Sequence, residues 1–354
     1  MRGLQDNVIV VAAGGIGASS GGTETASSNK ASIGGATCRR LAEEGAKVVV
    51  GDIDGAAAQR TVELIEAAGG QAVAQVFDAA EDDQVAALMA TAIDTYGGID
   101  GLHFNAMDMS ARAIGTDSEH DLLSLPLEAW QRTIDVGMTG FLLAARHALP
   151  SMLERGGGSI VVTVSGAVYA GEPVRVAYAS AKTGMTAIVR HIASRWGREG
   201  VRANAVAPGM VPGPEMLANL TEENERRMRR ASRSHRLGTA DDIASAVTFL
   251  LSDDAEWVNG QVLCATRPTC RPRPVSPDSW RPPRWSSAPL RPPSPPRPRT
   301  TATRGAPAPS PSPTTTRGAR RSRRPTWSPA TRTTPASRSP TGAAPSTSPP
   351  CACT

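Results

Sequence analysis

Three side chains in the stretch from 160 to 185 have types and a spacing that could carry out chemistry. Ser165 ends an apolar, β-branched run, and after a loop that contains glycine, Tyr178 opens a helical pattern with Lys182 four residues later. Residues four apart lie on the same face of a helix, so the phenol and the ammonium group are expected one turn apart. A serine at the end of the preceding strand can reach the same point in space.

Together these groups suit a redox reaction at a carbonyl or an alcohol. The hydroxyl of Ser165 would polarise a carbonyl oxygen, and the phenol of Tyr178 would exchange a proton with it. A phenol with its usual pKa of about 10 is a poor base at neutral pH unless a cation stabilises the phenolate. Lys182 would supply that positive charge. We therefore interpret this stretch as a redox active site.

Strand and helix patterns alternate from the start of the chain to about residue 264. Continuous apolar, β-branched runs are typical of parallel strands that are buried on both faces. Such runs predict about seven strands, at residues 7–13, 47–54, 71–77, 98–105, 159–165, 201–209 and 260–265. This alternation predicts an α/β fold, a Rossmann-type doubly wound parallel sheet flanked by helices.

Ligands of such sheets bind beyond the carboxyl ends of the strands. Candidate contact residues stand at six predicted strand ends: Gly14, Asp52, Asp78, Asn105, Ser165 and Pro208. An acid at the end of the second strand can accept both ribose hydroxyls of NAD and would repel the extra phosphate of NADP. Asp52 therefore predicts NAD in preference to NADP, and a solvated acid at a strand end is the alternative interpretation of this residue.

The first strand is followed by Gly14 and Gly15, and then by residues 16–31 before a helix can begin. The pattern predicts that helix from about Ile33 to Glu44, with Ser32 near its N-cap. Free N–H groups and the helix dipole attract pyrophosphate to such an N-terminus. This end of the sheet is therefore expected to bind a dinucleotide.

The other helices are predicted at about 55–69, 81–96, 126–154, 176–198 and 240–254. A polar, irregular stretch from 107 to 125 borders the expected substrate cleft, and residues 214–232 are predicted to form a mobile helical flap. The five histidines are scattered without metal-ligand spacing, so we predict no metal site.

Residues 265–354 differ sharply from the rest, because they hold 23 of the 29 prolines, 16 arginines and one acidic residue. Such a segment cannot bury a core, so we predict one domain, residues 1–264, followed by a disordered tail, residues 265–354. One explanation of the tail is a basic arm that binds nucleic acid or anionic surfaces. The other is translation in a shifted reading frame.

Five cysteines without metal-ligand spacing suit a reducing compartment, which predicts a cytoplasmic protein. The apolar run at the start of the chain is too short for a membrane span and lacks the cleavage pattern of a signal peptide. No membrane partner is therefore expected.

From about residue 6 to 264 the chain resembles the classical short-chain dehydrogenase/reductase family. The resemblance is carried by Ser165, by YASAK with Tyr178 and Lys182, by VRANAVAPG at 201–209, and by RLGTADDIASAVTFLLSDDAEWVNGQVL near the end of the domain. It implies an NAD(P)-dependent enzyme that transfers hydride between the nicotinamide and a secondary alcohol or ketone. It also implies a homo-oligomer, a tetramer or a dimer.

The resemblance further implies roles for individual residues. Tyr178 would be the general acid/base, Lys182 would hold the nicotinamide ribose and lower the pKa of the phenol, and Ser165 would bond the reacting oxygen. The residues carried over as cofactor-binding are Gly14, Ser32, Ile33, Gly34, Asp52, Asp78, Asn105, Tyr178, Lys182, Pro208 and Gly209.

Four features depart from the family pattern. An insertion of about fourteen residues interrupts the glycine-rich turn, whose middle glycine becomes Ser32. The family's NNAG reads FNAM at 104–107, its helical asparagine is Gly137, and its threonine after the PG loop is Gly213. These departures motivate the alternative hypothesis, a catalytically impaired dinucleotide-binding or scaffolding protein.

Overall fold

The computed structural model describes residues 1–16, 32–169, 174–213, 216 and 219–265. Most of the insertion in the glycine turn, part of the predicted flap and the whole of the tail after residue 265 lie outside these residues. The division into a domain and a disordered tail therefore stays a prediction.

Seven parallel strands of the described chain form one sheet in the order β3-β2-β1-β4-β5-β6-β7. Their bounds are β1 Val8–Ala12, β2 Lys47–Asp52, β3 Gln71–Val76, β4 Gly101–Phe104, β5 Gly158–Thr163, β6 Val201–Pro208 and β7 Val262–Ala265. The order reverses direction between β1 and β4, as in doubly wound dinucleotide-binding sheets. The predicted Rossmann-type fold is confirmed.

Helices cover both faces of this sheet. Their bounds are α1 Ile33–Glu43, α2 Gly55–Ala67, α3 Asp82–Tyr96, α4 Thr116–Glu119, α5 Leu127–Ile134, α6 Gly140–Glu154, α7 Val176–Trp196, α8 Glu222–Ala231 and α9 Ala240–Leu251. Within the described ranges, none of these helices is both long and apolar enough to cross a membrane.

Alternate residues of the strands belong to two buried apolar clusters, one on each face of the sheet. In β1, for example, Val10 belongs to the cluster under α3, α6 and α7, whereas Val11 belongs to the cluster under α1, α2 and α9. Helix α7 packs against β6, the neighbour of β5. The helix predicted to carry Tyr178 and Lys182 is thereby fixed beside the strand that leads to Ser165.

The predicted single helix from 126 to 154 is helical throughout but is interrupted by a π-helical turn, Asp135–Thr139. Gly137 lies in this turn, which separates α5 from α6. Glycine has a low preference for the α-helix interior, and π turns often accompany functional sites. The helix type therefore changes at this glycine, and the helix continues past it.

The stretch from 107 to 125, predicted as irregular, contains a π-helical turn at Ala111–Gly115 followed directly by α4. That prediction was wrong over these residues. The reason is tertiary, because Asp117 in α4 is held by hydrogen bonds to the start of α7, and no local pattern reveals such bonds.

Candidate active site

Lys182 lies in the second turn of α7, and its side chain is only 3% exposed. Its Nζ donates a hydrogen bond to the backbone carbonyl oxygen of Thr163, the last residue of β5, at 2.7 Å. Burial lowers the pKa of Lys182 to about 7, because desolvation disfavours the charged form. The structure therefore holds a buried amine against the end of the central sheet.

Tyr178 lies one turn before Lys182 on the same helix, as predicted. The Nζ of Lys182 lies 5.8 Å from the centroid of the Tyr178 ring. The guanidinium carbon of Arg175 lies at the same distance from that centroid. Two cationic side chains are thus within reach of the phenol, and sequence reasoning identified only one of them.

Ser165 follows β5 and opens the 3₁₀ turn Gly166–Tyr169, where its Oγ accepts a hydrogen bond from the N–H of Ala167 at 3.1 Å. This turn packs against α7. The structure therefore places all three predicted catalytic residues, Ser165, Tyr178 and Lys182, at the junction between the end of β5 and the start of α7.

Asp117 is a buried acid that sequence reasoning missed. Its carboxylate accepts hydrogen bonds from the N–H groups of Ala177 at 3.1 Å and Tyr178 at 2.8 Å, and its backbone carbonyl accepts one from Arg175 at 2.8 Å. An acid at this point satisfies first-turn N–H groups and favours the positive end of the helix dipole. One signal was available: the residue before α7 is an arginine, whose side chain has no acceptor for the first-turn N–H groups.

His103 in β4 is fully buried, and its Nε2 lies 2.8 Å from the Oγ1 of Thr163. Among the described residues, its Nδ1 has no hydrogen-bond partner. Burial, together with the charge of Lys182, lowers the pKa of His103 to about 3. Thr163 therefore lies between His103 and Lys182. Its hydroxyl contacts the neutral histidine, and its backbone carbonyl oxygen accepts a hydrogen bond from the lysine.

The two ends of the interrupted glycine turn meet in the structure. Ser32 caps α1 by accepting a hydrogen bond from the N–H of Gly35 at 3.0 Å, and its hydroxyl donates to the carbonyl oxygen of Gly15 at 2.9 Å. A Cβ on Gly34 would lie 1.8 Å from the carbonyl oxygen of Ala13, so only glycine lets the helix start this close to β1. The helix start and the strand end therefore meet as a dinucleotide-binding turn requires.

Asp52 ends β2 beside this turn. One carboxylate oxygen accepts a hydrogen bond from the N–H of Gly15 at 2.9 Å, and the other accepts one from the N–H of Asp54 at 3.0 Å. A carboxylate oxygen has lone pairs for more than one donor, so both oxygens can also accept from ribose hydroxyls.

Asp78 and Asn105 each tie the end of a strand to its surroundings. The carboxylate of Asp78 bonds the guanidinium of Arg132 at 3.0 Å, and the same guanidinium bonds Asp108 at 2.9 Å. The backbone N–H of Asn105 donates to the carbonyl oxygen of Ala12 at 3.0 Å, which joins the ends of β4 and β1. Arg132 was not singled out from the sequence, and it holds the loop after β4 to the loop after β3.

The PG loop follows β6 directly. Gly209 donates its N–H to the carbonyl oxygen of Ala265 at 2.8 Å, which fixes the loop that begins with Pro208 to the end of β7. A Cβ on Gly213 would meet no atom of the described residues within 4 Å, so among those residues the loss of the family's threonine leaves open space.

Two residues that depart from the family pattern, Met107 and Gly137, lie side by side. A Cβ on Gly137 would lie 2.7 Å from the Cε of Met107 and 3.4 Å from the Cβ of Ala181, the neighbour of Lys182. The methionine that replaces the glycine of NNAG therefore fills the space beside the glycine that replaces the asparagine.

A family model described as Enoyl-(Acyl carrier protein) reductase matches residues 27–266. A protein of Bradyrhizobium diazoefficiens whose name reads short-chain type dehydrogenase/reductase is 37% identical over 234 residues, which are 66% of this chain and 82% of that protein. The chain belongs to the short-chain dehydrogenase/reductase family. It is thus a member of an oxidoreductase family, and the predicted resemblance is confirmed.

Other members of the family are similar over the same region. The cyclohexanol dehydrogenase of an Acinetobacter species is 35% identical, over 64% of this chain and 86% of that enzyme. The cis-4-hydroxycyclohexanecarboxylate dehydrogenase of Sinomonas cyclohexanicum is 36% identical, over 65% of this chain and 89% of that enzyme.

Among solved structures, a 7 alpha-hydroxysteroid dehydrogenase in complex with NADH and 7-oxo glycochenodeoxycholic acid superimposes with a TM-score of 0.65 and 28% identity. The match covers 76% of this chain and 96% of that one. These relatives are named for small-molecule alcohols and ketones, which gives no support to nucleic-acid binding by the tail.

Proposed function

We propose that this protein is an NAD(H)-dependent oxidoreductase that transfers hydride between the nicotinamide cofactor and a secondary alcohol or ketone. The observation that carries the proposal is the relation of Tyr178 to Lys182, whose buried Nζ lies 5.8 Å from the phenol ring on the same helix face. The names of the cyclohexanol and hydroxycyclohexanecarboxylate dehydrogenases support an alcohol as the substrate class.

Tyr178 acts as the general acid/base in this proposal. In alcohol oxidation its phenolate removes the hydroxyl proton, and in ketone reduction its phenol returns a proton to the carbonyl oxygen. Phenolate formation favours the charged form of Lys182, and the charged form in turn stabilises the phenolate. The hydroxyl of Ser165 donates a hydrogen bond to the reacting oxygen, where negative charge develops. When bound, the nicotinamide accepts or supplies the hydride.

The residues at the carboxyl edge of the sheet suit a dinucleotide. The first-turn N–H groups of Ile33 and Gly34 have no acceptor within their own helix, and that turn contains no acidic residue. These groups would hold the pyrophosphate, while Ser32 closes the turn. Gly14, Asn105, Pro208 and Gly209 line the same edge, and Asp78 would border the adenine.

Asp52 favours NAD over NADP. Its carboxylate would bind the ribose hydroxyls and repel a 2′-phosphate. The next residue is Ile53, which is 64% exposed and offers no positive charge for that phosphate. In keeping with the family, we also propose that the protein is a homotetramer or a dimer in the cytoplasm.

The test of this function is turnover of NAD⁺ with a panel of secondary alcohols, and of NADH with the matching ketones, for the wild type and Tyr178→Phe. Loss of a general acid/base lowers rates by about 10²- to 10⁴-fold. Equal rates in the two proteins would refute the role of Tyr178.

A second candidate is a non-catalytic dinucleotide-binding protein. Gly137, Ser32 and the insertion favour it, because each replaces or interrupts a motif of the family. It predicts tight NADH binding, measured by fluorescence titration, without turnover of any substrate in the panel. Turnover that is abolished by Tyr178→Phe would exclude it.

A further inference from the structure

Arg175 occupies a backbone conformation that is rare for its residue type. It is the residue before α7, and its φ and ψ are 63° and 41°, in the left-handed region. Residues other than glycine seldom adopt this region, and they persist there when the surroundings impose it, which is commonest at functional sites. We therefore looked for the contacts that hold Arg175 in this conformation and for what the conformation does to its side chain.

Asp117 holds the backbone of Arg175 in the left-handed conformation. Its backbone carbonyl accepts the N–H of Arg175 at 2.8 Å, while its carboxylate accepts the N–H groups of Ala177 and Tyr178. Three residues at the start of α7, Arg175, Ala177 and Tyr178, are thereby attached to one buried residue of α4. Arg175 is held in place from the backbone, whatever its side chain contacts.

The conformation of the Arg175 backbone places its guanidinium beside the ring of Tyr178. Its carbon lies 5.8 Å from the centroid of the Tyr178 ring, within the range of a cation–π interaction. Ionisation of the phenol sends its proton to solvent and leaves a negative charge that is delocalised over the ring. The attraction of the nearby cation is therefore stronger for the phenolate than for the phenol.

We propose that Arg175 is a second cation that stabilises the phenolate of Tyr178, and that Asp117 positions it. The proposal rests on the proposed role of Tyr178 and extends it to a residue outside the YASAK motif. Arg175 then acts on the same phenol as Lys182, and the cofactor need not be bound for it to act.

The other charged groups that the described residues place near Tyr178 leave this assignment intact. Asp117 opposes the two cations, but its carboxylate is bound to two backbone N–H groups that offset its charge. His103 lies behind Lys182, across Thr163, and is neutral. On the described elements packed on α7, the side chains of Arg132, Asp135, Glu199 and Arg202 bond elsewhere. The same elements also carry Glu119, Glu128, Arg146, His147, Glu154 and Arg198. The turn after Ser165 adds one titratable group, Tyr169.

The experiment is a direct titration of the phenols. The chain has three tyrosines, so protein labelled with ¹³C at tyrosine Cζ gives three signals, and Tyr178→Phe assigns the one of interest. The titration follows these signals in the wild type, Arg175→Asn and Arg175→Lys. Asparagine tolerates the left-handed conformation and keeps the N–H bond to Asp117, so it removes the charge without moving the backbone. Lysine keeps a cation.

In Arg175→Asn we expect the acid dissociation constant of Tyr178 to fall about tenfold, with a titration midpoint at higher pH, and in Arg175→Lys we expect a smaller fall. The matched control is Arg195→Asn, because Arg195 lies on the same helix over the ring of Trp196. It should leave the Tyr178 titration unchanged. An unchanged titration in Arg175→Asn, or an equal shift in the control, would overturn the proposal.

Turnover of the same proteins separates this inference from the proposed function. The pH profile of alcohol oxidation should move to higher pH in Arg175→Asn together with the phenol titration. If the wild type turns over no substrate while the titration still shifts, Arg175 tunes the phenol and the oxidoreductase function fails. If turnover depends on Tyr178 while the titration does not shift, the function stands and the role of Arg175 fails.

Discussion

The terminal methyl group of Met107 lies where a side chain at Gly137 would have to begin, 2.7 Å from the position of its Cβ. The same Cβ position is 3.4 Å from Ala181, on the turn of α7 that carries Lys182. A large side chain and a missing one therefore complement each other beside the proposed catalytic lysine. Met107 and Gly137 therefore replace two family motif residues as one packing arrangement.

This contact predicts that restoring the family residue at Gly137 alone will be harmful. Gly137→Asn should lower the free energy of unfolding by about 1 kcal/mol, because it overpacks the space that Met107 fills and the flexible end of that side chain has to move. In the double variant with Met107→Ala, the loss should be about 0.5–1 kcal/mol smaller than the sum of the losses in the two single variants. Urea denaturation of the four proteins measures this coupling.

Gly213→Asn is the matched control, because a Cβ at Gly213 would meet no atom within 4 Å in the part of the chain that the structure describes. That substitution should change stability by at most about 0.5 kcal/mol and should add independently to Met107→Ala. Additive effects at Gly137 as well would show that the two residues are not coupled.

Lys182 predicts a pH dependence of stability with a definite sign. Its pKa is about 7 in the folded protein and 10.5 in the ordinary lysine side chain, so between these values the unfolded state binds the additional proton. The contribution of Lys182 to the free energy of unfolding therefore rises as pH increases from 7 to 10.5. Relative to Lys182→Met, the wild type should gain stability across this window in chemical denaturation. A constant or falling difference would contradict the buried, desolvated amine.

Because Asp117 accepts two N–H groups at the start of α7, we expect its substitution to lower the stability of the protein. Asp117→Ala removes the acceptor for two first-turn N–H groups and should cost about 1–2 kcal/mol of unfolding free energy. Glu119→Ala removes an exposed acid from the same short helix and should change it by at most about 0.5 kcal/mol. Thermal and chemical denaturation compare the two. Equal effects would mean that Asp117 does not cap α7.

Asp52 predicts the choice of cofactor. The wild type should bind NADH at least about tenfold more tightly than NADPH, a difference of about 1.4 kcal/mol. Asp52→Asn keeps an acceptor for the N–H of Gly15 while it removes the charge, so the preference should shrink and the turn should persist. Asp54→Asn, at the acid that caps α2, should keep the preference. Tighter binding of NADPH by the wild type would contradict the assignment.

The sequence was sufficient for the sheet and for the helix that carries Tyr178 and Lys182. Buried parallel strands such as Val8–Ala12 and Gly158–Thr163 are continuous apolar runs, so their signal is local and strong. The spacing of the tyrosine and the lysine is also local, because it depends only on the period of one helix.

The contacts that shape the site could not be predicted in the same way. Asp117 and Tyr178 are 61 residues apart, and the fit of Met107 against Gly137 depends on how the loop after β4 meets a π-helical turn. Neither the left-handed conformation of Arg175 nor the position of its side chain has a sequence pattern of its own. These features arise from tertiary packing, which periodicity and motif spacing do not encode.

Hydride transfer that depends on Tyr178 can be followed with an alcohol deuterated at the carbinol carbon, either cyclohexanol or another alcohol of the panel that is turned over. After incubation with NAD⁺, mass spectrometry of the cofactor shows whether the deuterium has moved. We expect deuterated NADH with the wild type and about 10²- to 10⁴-fold slower formation of it with Tyr178→Phe. Reduced cofactor without deuterium, or equal rates of deuterium transfer in the two proteins, would contradict this expectation.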